Sequence, residues 1–224
     1  MKQPKNAGCK HSIYKSFVKR VLDLSLSVIA LIILSPLLLI VAILVRIKLG
    51  SPVLFTQMRI GKNERPFKMY KFRSMSMETD AEGKLLPDKE RLGKFGKLLR
   101  ATSIDELPEL LNIIKGDMSI IGPRPLPVLY QPYFKENEQI RHSVRGGLTG
   151  LAQINGRNTL SWEDRFAYDV KYVENISFLT DAGIFFKTIQ KVLMRKDVGV
   201  RGVTGPGDLN ILRSEKAIES EAVK

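Results

Sequence analysis

From Leu24 to Val45 the chain reads "LSLSVIALIILSPLLLIVAILV", 22 residues without a charge. A straight helix of that length covers roughly 33 Å, about a hydrocarbon core. Core helices of soluble domains are rarely apolar on every face for so long, so the run predicts insertion into a membrane. It is longer than the apolar centre of a signal peptide and lacks a small-residue cleavage site. Ser35 and Pro36 fall in its middle, where proline removes a backbone donor and kinks a helix. Ser35 is placed to re-satisfy the carbonyls so freed. Cations flank both ends, Lys15, Lys19 and Arg20 before the run and Arg46 and Lys48 after it, which favours the cytoplasm for both sides. Two topologies stay open on these features: a hairpin that dips into one leaflet and returns, and a straight span.

After Gly50 the pattern becomes that of a mixed α/β domain. "VLFTQMRI" and "FKMYKFRSM" are rich in β-formers and predict two strands joined through "GKNERP". Period-two alternation puts Phe67, Met69, Lys71 and Arg73 on one face. "DKERLGKFGKLLR" (88–100) predicts a helix with Leu92, Phe95, Leu98 and Leu99 as its apolar stripe. "AGIFFKTIQKVLMRK" (182–196) predicts a second basic amphipathic helix, with Phe185, Ile189, Val192 and Leu193 opposite Lys187, Lys191 and Arg195. Such helices cover a core or lie on a bilayer surface. The chain thus divides into a basic arm (1–20), a membrane segment (21–50), a catalytic-sized domain (51–200) and a polar tail (201–224) expected to be loose.

Charge narrows the partners. A net charge of +13 calls for an anionic one. Lys2, Lys5, Lys10, Lys15, Lys19 and Arg20 stand before the apolar run without an acid among them, the order of a membrane-surface anchor. Nucleic acid is not indicated, because the aromatics fall at core spacing and do not interleave with the basic patches. The single Cys9 excludes an internal disulfide framework and fits a reducing compartment. His11 and His142 are too far apart for a zinc motif and are expected at the surface.

Against this basic background, "SIDELPEL" (103–110) sets Asp105 beside Glu106, with Glu109 one turn on. Ser103 and Glu106 have capping-box spacing, and acids in a first helical turn complement the helix dipole. Downstream, two prolines stiffen the loop of Gly122-Pro123-Arg124-Pro125, so Arg124 is presented with little entropy left to lose. Arg100 lies just before the acids. "GGLTGLAQINGRN" (146–158) reads as glycine-rich and turn-rich, carries Arg157, and lacks the G-K-[ST] ending of a phosphate-binding P-loop. Paired carboxylates among cations suit phosphoryl transfer: arginine forks hold phosphate oxygens, and a carboxylate can hold Mg²⁺ or act as nucleophile. Spacing does not choose between those two roles.

The Ser-Pro pair, "KFRSM", "DELPELLNIIKGDMSIIGPRP", "TGLAQINGR" and "YDVKYVENISFLTD" occur together and in this order. From about Val18 to Gly199 the chain resembles the bacterial sugar transferase family, in particular its small monotopic phosphoglycosyl transferases. The resemblance implies an α/β fold: a small cytoplasmic domain with amphipathic interfacial helices, anchored by one re-entrant membrane helix broken at Ser35 and Pro36. It implies transfer of a phosphosugar from a UDP-sugar to undecaprenyl phosphate with release of UMP, using Mg²⁺, at the cytoplasmic face of the bacterial inner membrane.

Matched to the family's motifs, Asp105 is the nucleophile that becomes phosphorylated, and Glu106 is its partner, the two together serving Mg²⁺. Arg124 and Pro125 belong to the loop near the substrate phosphates. Lys71, Arg73, Arg100 and Arg157 match basic positions facing nucleotide or lipid phosphate. One departure is visible. Where the family commonly reads Arg-Pro-Gly, this chain has Arg145-Gly146-Gly147-Leu148, which implies a softer loop. The stretch "NGRNTLSWEDRF" resembles members that use N-acetylated amino sugars. Downstream glycosyltransferases are implied as partners, and a homodimer is compatible with the resemblance.

Overall fold

The computed structural model describes residues 13–156, 159–194 and 207–214. Helix α1 (Lys19–Leu49) follows a π-turn at Tyr14–Val18 and reaches a mean hydropathy of 3.3. Pro36 lies inside it, and the helix does not break there, contrary to expectation. The reason is local. Pro36 has no N–H for the Ile32 carbonyl, and Ser35 Oγ donates to that carbonyl at 2.8 Å instead.

One face of α1 rests on the rest of the chain along its whole length. Arg20 donates to the carbonyls of Ile113 and Ile114 at 2.6 and 3.0 Å. Asp23 accepts from Ser119 Oγ and the Ile120 N–H at 2.7 and 3.0 Å. Ala30 and Leu34 pack on the core of Phe67, Met69, Leu110, Ile113 and Met118. Val41 and Val45 pack with Phe72 and Leu99. The other faces expose Ile29, Ile32, Ile33, Leu39, Ile40 and Ile43.

Strands β1 (Leu54–Ile60) and β2 (Pro66–Phe72) form the expected antiparallel hairpin, with Gln57 opposite Met69. The expected helix at 88–100 is two, α2 (Asp88–Arg91) and α3 (Lys94–Ala101), because the backbone leaves the helical region at Leu92. After α4 (Glu109–Lys115) comes β3 (Met118–Ile121), paired in parallel with β4 (Gly146–Thr149). The glycine-rich stretch is therefore a strand running into α5 (Leu151–Asn155), and not the softer loop expected. A side chain at Gly147 would place its Cβ 2.1 Å from the Gly122 nitrogen, so only glycine allows this approach.

Helices α6 (Trp162–Glu174) and α7 (Phe178–Met194) complete the fold. Ser161 caps α6 by accepting from the Asp164 N–H at 3.0 Å. Helix α7 buries Ile184 and leaves Leu179, Phe186 and Ile189 exposed. Lys19 and Tyr14, at the start of the chain's described part, both reach Asp181 of α7 at 2.6 Å.

The tail is not loose throughout. Residues 209–214 are helical, and Leu209 is fully buried with Trp162, Phe166 and Tyr130. Arg213 holds Glu138 through both guanidinium nitrogens at 2.7 Å. His142 is also buried, contrary to its expected surface position, edge-on to Phe134 and 3.3 Å from Glu64. Burial, with Arg141 beside it, pushes its ring down to about 4, so it is neutral at physiological pH.

Candidate active site

Four segments converge on the acids. Strand β2 buries Phe67 and Met69, and the same alternation delivers Lys71 to Glu106 at 2.7 Å and Glu109 at 3.2 Å. Asn112 of α4 fixes that strand edge: its side chain accepts from the Tyr70 N–H at 3.0 Å and donates to the Lys68 carbonyl at 2.8 Å. Lys71 is therefore set against the helix that follows the acids.

Asp105 and Glu106 sit on one 3-10 turn, Ile104–Glu106, ahead of α4. The capping box expected of Ser103 and Glu106 is absent. Ser103 takes a left-handed backbone (φ 57°) with no side-chain capping bond, and Glu106 turns to the cations instead. A strained non-glycine residue beside the acids is the kind of local cost found at functional sites.

Arg124 forks onto Glu106, with Nη2 on Oε1 and Nη1 3.4 Å from Oε2. Burial pushes the Glu106 carboxyl up, but Arg124 and Lys71 outweigh it and hold it far below the usual carboxylate range. Burial works against the charge of Arg124 as well, and Glu106 and Glu109 hold that charge on.

Asp105 is different. It is 7% exposed and accepts no side-chain hydrogen bond among the described residues. Burial, and then the neighbouring Glu106 charge, raise its carboxyl to about 6, while Lys71, Arg100 and Arg124 pull it down. The pair thus holds one carboxylate whose Oε1 is taken by two cations while Oε2 keeps room for a further partner, and one that accepts no side-chain hydrogen bond among the described residues. Arg100 comes to this side because Gly96 lets α3 approach strand-end Ser74: a Cβ there would lie 1.8 Å from the Ser74 carbonyl. Arg100 Nε donates to Ser74 Oγ at 2.9 Å.

The remaining expected residues divide. Pro125 stays in the Arg124 loop, packed over Gly146, where a Cβ would come 2.4 Å from its ring. Arg73 does not face the site. It is buried and donates to the carbonyls of Ser51, at 3.0 Å, and Leu49, at the end of α1. Arg157 lies outside the described residues. Sequence reasoning left Glu109 without a role. It is fully buried, its Oε1 lies 3.2 Å from Lys71 Nζ, its Oε2 has no hydrogen-bond partner among the described residues, and burial raises its carboxyl to about 7 against the pull of Lys71. Its position one turn after the pair, in a chain with few acids, was the available signal.

No cluster of three or more His, Cys, Asp or Glu suited to a metal occurs among the described residues. Two carboxylates are what Mg²⁺ takes from a protein when substrate phosphates and water supply the rest, so the donor set at Asp105 and Glu106 fits that ion.

A helix long and apolar enough to enter a membrane, packed on the domain by one face, and an acid pair ringed by Lys71, Arg100 and Arg124 suit phosphate chemistry beside a membrane. The comparisons give it a family. Residues 14–195 match the bacterial sugar transferase family, and the chain belongs to it. It is 47% identical over 199 residues to the uncharacterized sugar transferase EpsL of Bacillus subtilis, covering 86% of this chain and 98% of that one. It is 39% identical to the UDP-glucose:undecaprenyl-phosphate glucose-1-phosphate transferase of Klebsiella pneumoniae, covering 80% of this chain and 40% of that protein. With the UDP-N-acetylgalactosamine-undecaprenyl-phosphate N-acetylgalactosaminephosphotransferase of Aeromonas hydrophila it shares 38% identity, covering 80% and 44%. The chain thus spans less than half of those two longer relatives.

Proposed function

We propose that this sugar transferase moves a sugar 1-phosphate from a UDP-sugar to undecaprenyl phosphate through a covalent intermediate on Asp105. The observation that carries the proposal is the asymmetry of the pair: Glu106 is clamped by Arg124 and Lys71, and Asp105 beside it accepts no side-chain hydrogen bond among the described residues. Relatives with these names support the general reaction.

An Asp105 oxygen attacks the phosphorus that bears the sugar, and the bond from that phosphorus to the bridging oxygen breaks. UMP leaves with the bridging oxygen and its electron pair. A phosphate oxygen of undecaprenyl phosphate then attacks the same phosphorus. The Asp105 carboxylate is released, and the sugar departs on a lipid diphosphate. Arg124, Lys71 and Arg100 hold phosphate oxygens and stabilise the charge that gathers on them. Mg²⁺ held by Asp105 and Glu106 would neutralise the diphosphate.

The topology belongs to the same proposal. Both ends of α1 touch the domain, Arg20 and Asp23 at one end and Val41 and Val45 at the other. A helix so held dips into the membrane without leaving the domain behind, and the domain stays on the cytoplasmic face of the inner membrane. The exposed apolar side chains of α1 and α7 face lipid. The proposed donor carries an N-acetylated amino sugar, a choice supported by the resemblance of the stretch "NGRNTLSWEDRF" to members that use such sugars.

The test is UMP release from a panel of UDP-sugars, glucose and N-acetylgalactosamine donors included, with undecaprenyl phosphate and Mg²⁺. Release by the wild-type protein and none by Asp105→Asn is the expected result. Equal release by both removes Asp105 as nucleophile.

A further inference from the structure

Residues 123–126 present Arg124 to the acids, and each of their four carbonyls is held from elsewhere. The Gly147 N–H donates to Pro123 O at 2.9 Å, and the Ile60 N–H donates to Leu126 O at 2.9 Å. Arg59 Nη1 reaches Pro125 O at 3.5 Å. The Arg124 carbonyl itself accepts from Arg141 Nη2 at 2.7 Å.

Arg141 stands apart from the other three donors. It comes from the 3-10 segment Glu136–Ser143 and is 2% exposed. Its Nε and Nη2 both donate to Asp169 Oδ2, at 3.0 and 2.8 Å. Nη1 lies 3.3 Å from His142 Nε2, and the guanidinium centre is 5.5 Å from the ring centres of Phe134 and Phe166. The void between this group and the Arg124 loop is about 10 Å³, close to a single water. A buried ion pair is poor value as a stability device, since apolar residues of the same volume fold as well or better. Apolar residues would supply no donor to the Arg124 carbonyl.

We infer that Arg141, held in place by Asp169, is a positioning residue for phosphosugar transfer: it fixes the Arg124 carbonyl so that the Arg124 guanidinium stays forked on Glu106. The inference rests on the proposed reaction. Arg141 lies behind the loop and acts through Arg124, so its effect depends on Arg124 being present.

The experiment uses the full chain in detergent, with kcat and KM from UMP release and Tm from thermal unfolding. Replacing the pair together, Arg141→Met with Asp169→Asn, nearly keeps the volume and removes the donor along with both charges. The expected result is a folded protein with near-unchanged KM for the UDP-sugar and kcat lower by about a hundredfold, the scale of a small misplacement. In an Arg124→Ala background the same double replacement costs nothing further. Should the pair variant not fold, Arg141→Lys carries the test, because a single ammonium keeps the charge beside Asp169 without the planar fork. Wild-type kcat in either folded variant overturns the inference. So does an equal loss with and without Arg124, which marks a general structural role. Wild-type protein that turns over no donor overturns the reaction itself, and the inference with it, before any variant is compared.

Discussion

Arg124 and Glu106 meet fork to carboxylate, and that contact leaves Asp105, the next residue back, as the acid of the pair that accepts no side-chain hydrogen bond among the described residues. The division of labour sets the first prediction. Glu106→Gln removes the charge that Arg124 and Lys71 share, and Arg124→Lys removes the fork while keeping the charge. Each is expected to lower kcat on the order of a hundredfold, the range for losing one preorganised contact in a transition state. Steady-state UMP release with both variants measures it.

The second prediction concerns pH. In the proposed mechanism Asp105 attacks as the carboxylate, and burial with the neighbouring Glu106 charge raises its carboxyl to about 6. The rate under kcat/KM conditions therefore rises with pH through about 6 and levels above it. A profile with its acid limb near 4, the ordinary carboxylate range, contradicts the burial that raises this group.

Stability runs the other way. Asp105 and Glu109 both have folded values above their ordinary ones, raised to about 6 and about 7. The folded state then binds more protons than the unfolded one across this window. The stability tied to those protons is fully present below about pH 4, the ordinary carboxylate value. It is lost as pH rises through 6 and 7, at no more than about 1.4 kcal/mol per pH unit for one group. Glu109→Gln is expected to flatten that decline between pH 5 and 8, read by urea unfolding at several pH values.

Close approach at Gly96 gives the fourth. With the Ser74 carbonyl 1.8 Å from any added Cβ, Gly96→Ala pushes α3 away from β2 and takes Arg100 with it. The cost is about 1–3 kcal/mol by overpacking, with a parallel fall in activity.

Much of this was legible in the chain. The hairpin around Lys71, the acid pair and the stiff Arg124 loop follow from alternation, spacing and proline, all local signals. What failed was set by contacts distant in sequence. Gly146–Thr149 reads as a turn because glycines lack β-propensity, yet it is a strand because only glycine fits against Gly122 and Pro125. Arg73 shares a face with Lys71 by period, but β2 ends at Phe72 and the side chain closes α1 instead. His142 looks solvated in sequence and is buried by Phe134 and Glu64.

The tail offers the fifth prediction. Leu209 is fully buried among Trp162, Phe166 and Tyr130, with Leu212 packed against the same cluster, in a short apolar stretch of an otherwise polar tail. Leu209→Ala is expected to cost about 2–5 kcal/mol, the range for a buried leucine, with catalytic constants little changed in the fraction that stays folded. Thermal unfolding of that variant checks it.

The central claim is that Asp105 carries the phosphosugar. Its most direct test is a single turnover with UDP-sugar and Mg²⁺ in the absence of undecaprenyl phosphate, followed by intact-mass analysis and peptide mapping. The account predicts a burst of UMP stoichiometric with enzyme and a protein heavier by one phosphosugar on the peptide containing Asp105, with neither in Asp105→Asn. UMP formed only when undecaprenyl phosphate is present, with no adduct on the protein under trapping conditions, would contradict it and point to direct transfer between the two substrates.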